Sequence, residues 1–295
     1  MELRYRLYSA GQILSLLVGV ALAVAAYAGL VGAVAPGLVP TEQRTAVAGG
    51  VVALALAGWF VFGRLRVGRW AAIGEQAGLR PDEGGFGSRV RTGIDVPISV
   101  DPVPDLVGTV RGRAVRATTY TVSTGASGDE GSTSKSYTVL QAELDDPTDS
   151  GIVLGPATDG PGSEMIDLLP GSVETVAVDD QFVAVGTDSE GAARDLLTPE
   201  SRTALLALEE PTGVYVGDST DIVMDALPEE MGAVMSLVSG KIEERLRSHP
   251  ANDAATVSII TQGLLLDPDR IERRLTAAAA VANAAQAGRN GASRL

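Results

Sequence analysis

The sequence predicts an α+β protein in which an N-terminal transmembrane α-helical hairpin precedes a mixed soluble domain with a mainly antiparallel sheet and C-terminal helices. Three observations predict this class. Two long apolar runs stand near the N-terminus, the middle of the chain alternates β-branched and polar residues with period two, and the last quarter carries helix-start signals and helical spacing of apolar residues.

The first apolar run, Ile13–Ala35, has 23 residues without a charge. As a helix it would measure roughly 34 Å, enough to cross the bilayer core. Its last three residues resemble a signal-peptidase site, but the run exceeds the ~7–15 residues of a signal core, which favours an uncleaved span. The second run, Ala46–Phe62, reaches the lower limit for a span and extends to Val67 if Arg64 snorkels.

Arginine placement predicts the orientation of the two spans. The connection Pro36–Thr45 contains only Arg44, whereas arginines cluster on the outer flank of each span. Because cytoplasmic flanks carry the Lys/Arg excess, we expect a two-span protein of the cell membrane with both termini cytoplasmic. The residues predicted to anchor it in the lipid bilayer are Arg4, Arg6, Trp59, Arg64, Arg66, Arg69 and Trp70.

Small residues recur at four-residue spacing in both spans, as in Gly19–Ala23 and Gly49–Ala53–Ala57. Such faces let helix backbones approach closely. The two helices pack on each other through them, or the same faces form a homo-oligomer; the sequence leaves both open. Neither span contains an internal acid, base or histidine, which argues against a pump or transporter acting alone.

The middle of the chain predicts a sheet. Asp105–Gly125 and Ser134–Asp146 alternate as strands of a hairpin, and the polar tip Ala126–Ser134 is a candidate contact for a partner. Cross-strand ion pairs are the expected role of the hairpin charges, which are Arg111, Arg113, Arg116, Glu143, Asp145 and Asp146. Asp179–Asp180 predicts a tight turn. The other predicted strand segments are Gly151–Leu154, Ser172–Val178, Gln181–Gly186 and Thr212–Ala226.

Helix signals follow the strands. Thr198 and Asp267 are predicted N-caps, each followed by proline at the first helical position. Pro228–His249 has helical spacing, and Ala254–Leu266 is a buried segment whose type the pattern does not decide. The predicted division is a membrane hairpin at 1–69 with spans at about 13–35 and 46–67, a stalk at 70–87, a β-rich domain at 88–226 and a helical part at 227–295.

The stretch Asp179–Ala226 resembles a pattern found in uncharacterised haloarchaeal membrane proteins that carry two N-terminal spans and a cytosolic β-rich domain. An F-x-V strand leads to a small-residue helix, then to "LLTP" at 196–199, a second helix and another hairpin. The resemblance implies a domain of unknown function beside a membrane. It implies no active-site residue.

Charge and composition narrow the function classes. Residues 1–69 contain six basic and two acidic residues, a net +4, so the rest of the chain carries −18 and the total is −14. Such an acidic domain does not suit nucleic-acid binding. Only two of the 23 basic residues are lysines, and acidic, lysine-poor chains are typical of halophilic archaea. There is no cysteine, which excludes disulfides and thiolate chemistry.

No motif predicts a catalytic residue, a cofactor or a metal ligand. The single histidine, His249, stands next to Pro250 at a predicted helix end, where it suits the helix dipole. "SGK" at 239–241 fails as a phosphate loop because Met235 replaces the first glycine and Ile242 the hydroxyl.

Two functions of different class remain. The first, which we favour, is a non-enzymatic membrane-anchored interaction or scaffold protein that binds another protein at the cytoplasmic face. The alternative is a membrane-bound hydrolase or peptidase-like enzyme that uses Ser, Asp or Glu. A pocket that gathers several acids would favour the enzyme.

Overall fold

A computed structural model describes most of the predicted sheet and the helices around it. The described residues are 7, 10–11, 14–15, 17–19, 21, 44–82, 103–124, 133–148, 151–157, 176–185, 190–208, 212–218 and 254–292. The chain divides into two compact units, one of residues 1–73 and 98–103 and the other of residues 74–97 and 104–295.

The first unit is helical where it is described. The described residues between 7 and 21 are all helical, and helix α1 runs for 33 residues over Arg44–Gln76. Among the described residues, α1 is the one helix long and apolar enough to cross a membrane, through Gly49–Gln76. The sequence predicted two spans here, and the described residues establish one helix of that kind.

Helix α1 ends in a Schellman motif, in which a residue with positive φ lets the chain turn back on the last helical carbonyls. Gly78 has φ +74°, its backbone N–H donates to the Glu75 carbonyl at 3.1 Å, and that of Leu79 donates to the Gly74 carbonyl at 2.8 Å. The segment predicted as a stalk therefore begins as a continuation of α1.

The described strands of the second unit form one nine-stranded antiparallel sheet, in the order β1-β2-β3-β4-β9-β8-β5-β7-β6. The prediction of a mainly antiparallel α+β domain is confirmed. The strands are β1 (Arg80–Pro81), β2 (Leu106–Val110), β3 (Arg113–Thr124), β4 (Thr133–Glu143), β5 (Ile152–Pro156), β6 (Val176–Ala177), β7 (Phe182–Val185), β8 (Val214–Val216) and β9 (Thr256–Gln262).

Strand β9 is the segment that the sequence left undecided. It pairs with β4 on one side and with β8 on the other, so it joins the long hairpin to the shorter strands. Val257, Ser258 and Ile259 have no exposed surface. Thr256–Ile259 alternates polar and apolar residues, but this run is only four residues long and Ile260 interrupts it. Because both faces are buried at 257–259, no exposed polar face marked the segment as a strand.

The described helices of the second unit are α2 (Glu190–Leu196), α3 (Pro199–Leu206) and α4 (Pro268–Ala292). Helix α4 packs on β4, β9 and β3 and against α2 and α3. Its centre, Ala277–Ala282, is almost entirely buried. Alanines there let the helix approach the sheet closely.

Several of the sequence predictions concern residues that the structure describes. The caps at Thr198 and Asp267, the turn at Asp179–Asp180 and the long β3–β4 hairpin are confirmed. The segment Asp105–Gly125, predicted as one strand of that hairpin, forms two strands, β2 and β3, because the chain turns at Arg111–Gly112. Residues 126–132 of the hairpin tip, the predicted helix Pro228–His249 and most of Thr212–Ala226 lie outside the described residues.

Candidate functional site: a mixed-charge cleft

An open cleft of about 430 Å³ lies in the second unit, where the β2–β3 turn meets α3 and α4. Charged side chains of both signs surround small residues in it. The lining residues are Arg111, Glu200, Thr203, Ala204, Ala207, Glu272, Arg273 and Thr276. The volume falls in the range of ~300–1,000 Å³ that is usual for small-molecule sites.

Arg111 reaches the cleft from an unusual backbone position. Val110 pairs with Arg113, so Arg111 and Gly112 form a two-residue hairpin turn. Their φ angles are +52° and +80°, and positive φ at both central residues is the requirement of a type I′ turn. Glycine, asparagine and aspartate normally occupy such positions, because other side chains crowd the backbone there. Arginine at position 111 is therefore strained.

Helix α3 supplies one wall of the cleft. Its start is fixed by Thr198, whose hydroxyl accepts from the Ser201 N–H at 3.3 Å, and by Pro199 at the first helical position. Glu200 follows in the first turn and forms an ion pair with Arg111. The Thr203 hydroxyl donates to the Pro199 carbonyl at 2.6 Å, so this hydroxyl proton is held by the backbone.

Arg202 fixes the same helix to the β6–β7 turn. Its guanidinium reaches Asp179 at 2.5 Å, Gln181 at 3.0 Å and Asp180 at 3.2 Å. Asp179 in turn accepts from the backbone N–H groups of Gln181 at 2.7 Å and Phe182 at 2.9 Å. Arg202 thus holds in place the helix that carries Glu200.

Helix α4 supplies the opposite wall with Glu272, Arg273 and Thr276. The connection from β9 to α4 is held by Thr138, whose hydroxyl donates to the Gly263 carbonyl at 3.0 Å and accepts from the Leu265 N–H at 2.9 Å. Asp267 then caps the helix through the Asp269 N–H at 3.0 Å.

Arg113 ties the hairpin that carries Arg111 to α4. Its Nε donates to the Asn283 side chain at 2.7 Å, and its terminal nitrogen pairs with Asp145 at 2.6 Å. The Arg113 side chain is only 11% exposed. Both walls of the cleft and the turn above it are therefore positioned by buried or half-buried polar contacts.

Opposite charges over a small-residue floor determine what the cleft can do. Two arginines and two glutamates leave it without net charge, whereas the chain as a whole carries −14. The guanidinium group of an arginine can bind a carboxylate, and the carboxylate of a glutamate can bind an ammonium group. Because the Thr203 hydroxyl donates to the backbone and Glu200 pairs with Arg111, these two groups do not form a nucleophile and its base.

The sheet face away from α4 carries a buried polar group. The Gln141 side chain donates to the hydroxyls of Thr256 at 3.3 Å and Ser258 at 3.1 Å. Tyr215 is the register partner of Ser258, and burial raises the pKa of its phenol above the ordinary value of 10.0. Among the described residues, no group of three or more His, Cys, Asp or Glu could hold a metal ion.

The residues predicted as membrane anchors lie on α1 or outside the described part of the chain. Arg64 is exposed, Trp59 and Arg69 are half-buried, and Arg66 and Trp70 are buried at 5% and 0% exposure. Arg4 and Arg6 lie outside the described residues. The anchoring role stays a prediction.

The sequence predicted that Arg111, Arg113 and Arg116 pair with acids of the long hairpin, and only one of the three does so. Arg113 pairs with Asp145 as expected, whereas Arg111 pairs with Glu200 and Arg116 lies 3.8 Å from Asp105. The Arg-Gly pair between two alternating segments was the available signal that position 111 is in a turn. Nothing local indicated that α3 and α4 would meet it there.

No protein-family model, no curated protein and no solved structure matches this chain. The resemblance of Asp179–Ala226 to two-span membrane proteins therefore rests on the sequence pattern alone.

Proposed function

We propose that this protein is a membrane-anchored interaction protein, in which two N-terminal helices cross the cell membrane and hold the acidic α+β domain at the cytoplasmic face, where it binds another protein. The observation that carries the proposal is the apolar surface of α1. Only 17% of its most apolar 18-residue window is buried, and that window has a mean hydropathy of 1.6.

Large apolar side chains on α1 are exposed in a way that suits lipid. Leu54 is 75% exposed and Phe60 58% exposed. Large apolar side chains in the helical segment nearer the N-terminus are also exposed: Leu14 is 61% exposed and Leu17 is 57% exposed. A helix in the core of a soluble protein would bury such residues, so exposure on both segments supports a bilayer as their surroundings.

Contacts between the two helical segments support a hairpin. A Cβ added at Gly11 would meet Phe62 at 3.0 Å, one at Gly19 would clash with the Cβ of Ala55, and one at Gly58 would meet Ser15 at 3.2 Å. Residue numbers rise on one segment as they fall on the other, which is the order of an antiparallel pair. Small residues at the contact are what close packing of membrane helices requires.

The hairpin is tested by a disulfide. Gly58→Cys and Ser15→Cys would place two Cβ atoms near the ~3.8 Å separation of a disulfide, and the chain contains no other cysteine. We expect oxidation in membranes to join them. The matched control combines Ser15→Cys with Gly49→Cys, because nothing lies within 4 Å of a Cβ at Gly49. Equal crosslinking of both pairs, or of neither, would refute the pairing.

The orientation is tested with an impermeant thiol reagent on intact and lysed cells. Gln43→Cys stands in the connection predicted outside, and Ala157→Cys is an exposed position of the α+β domain. We expect the first to react in intact cells and the second only after lysis. The reverse pattern would place the domain outside the cell, and protection of both would show that the chain does not cross the membrane as proposed.

The interaction role is tested by a photo-crosslinking amino acid at Ser127, in the predicted contact tip, with Ala157 as the matched position. We expect a discrete larger species in cells from Ser127 and none from Ala157. If neither position yields one, the domain does not use this tip, and the interaction role loses the contact that the sequence predicts.

A further inference from the structure

We infer that the mixed-charge cleft binds a small zwitterionic ligand of the amino-acid or short-peptide class, with Arg111 taking the carboxylate and Glu200 the ammonium group. This site lies within the second unit and does not depend on the membrane anchor. It would stand if the proposed topology failed.

Charge selects this ligand class. A simple anion in the cleft would approach Glu200 and Glu272, and a simple cation would approach Arg111 and Arg273. Either ligand would meet two charges of its own sign. A ligand that carries both charges meets complementary groups, and its apolar part would face Ala204, Ala207 and the threonine methyl groups.

The backbone at Arg111 supplies the second observation. A residue held in a disfavoured conformation by its surroundings is a reason to suspect a function that needs it there. Asparagine would satisfy the turn better, yet arginine occupies it and its guanidinium is aimed at α3. Because the hairpin and both helices are fixed by other contacts, the backbone that carries Arg111 is placed before any ligand arrives.

Arg111 and Glu200, which both line the cleft, form an ion pair with each other. The two side chains are 38% and 63% exposed, so their mutual attraction is weak and a ligand can replace it on both sides. The carboxylate of the ligand would take the place of Glu200 on the guanidinium, and its ammonium would take the place of Arg111 on the glutamate. Binding therefore exchanges one ion pair for two.

The experiment measures ligand binding by calorimetry on the full-length protein in detergent. The probes are L-leucine and the dipeptide alanyl-leucine, each compared with its N-acetyl form, which is only an anion, and its amide, which is only a cation. We expect the zwitterions to bind at least about tenfold more tightly than either blocked form. Equal binding of all forms, or no zwitterion binding up to about 10 mM, would overturn the inference.

Two variants assign the binding to the cleft. Arg111→Asn keeps a residue that the turn accepts, so it should fold, and Glu200→Gln keeps the side-chain shape. Each should weaken zwitterion binding by about tenfold or more, as the loss of one charged partner predicts. Arg80→Gln removes an exposed arginine of the same unit that does not line the cleft and should bind as the wild type does. Wild-type affinity in Arg111→Asn would show that any binding occurs elsewhere.

Discussion

Arg111→Asn should make the folded protein more stable, although it removes an ion pair. Left-handed backbone costs an ordinary L-residue about 1–2 kcal/mol, and asparagine tolerates it better than arginine does. The ion pair with Glu200 joins side chains that are 38% and 63% exposed, and such pairs are worth about 0–1 kcal/mol. The expected net gain is about 0–1 kcal/mol at low salt.

Salt separates the two contributions. At about 1 M salt the screening length falls to about 3 Å, which removes most of the ion-pair attraction and leaves the backbone term. The gain in free energy of unfolding should then approach about 1 kcal/mol. For a domain of ~150–250 residues this raises the unfolding midpoint by about 2–4 °C.

The assay is thermal unfolding at low and high salt, with Arg111→Ala as the matched control. Arg111→Ala also removes the ion pair, but alanine adopts the left-handed conformation no more readily than arginine does. We expect Arg111→Asn to exceed both the wild type and Arg111→Ala in high salt. If it melts below the wild type there, or together with Arg111→Ala, the turn is not strained as argued.

Three further predictions follow from single contacts. Gly19→Leu should abolish the disulfide between cysteines at positions 15 and 58, because a side chain there would clash with Ala55, whereas Gly49→Leu should preserve it. Arg202→Ala should lower the free energy of unfolding by about 1–2 kcal/mol relative to Arg80→Ala, since it releases Asp179 from α3; equal melting curves would contradict this. Burial keeps the Tyr215 phenol neutral above its ordinary pKa of 10.0, so the unfolded chain loses that proton first. Stability should therefore fall as pH rises past 10, and less so in Tyr215→Phe, which a melt series at alkaline pH would reveal.

Local chemistry explains which elements the sequence predicted. Thr198 and Asp267 each precede a proline, so the cap and the first turn are specified by neighbouring residues. Alternation predicted β3 and β4 because the pattern of their side chains repeats every two residues. It failed for β9, where Val257, Ser258 and Ile259 are all buried and no exposed face marks the period.

The cleft could not be predicted in this way, because its residues are distant in sequence. Arg111 and Glu200 are separated by 89 positions, and Glu272 lies on a third element. Each has an ordinary local explanation as a solvated charge near a turn or a helix start. Only the packing of α4 against both α3 and the sheet brings them to one place.

Arg111 is unusual in two independent ways, in the positive charge that it brings to the cleft and in its left-handed backbone conformation. The chain as a whole carries a net charge of −14, yet two arginines balance two glutamates in this cleft. A turn that needs positive φ would normally take asparagine or glycine, yet it has arginine. Neither departure stabilises the fold by an evident route, since the ion pair is exposed and the backbone is strained. Sites that break local rules without a gain in stability are where function is expected, and here two such departures meet in one side chain that faces a cleft of ligand size.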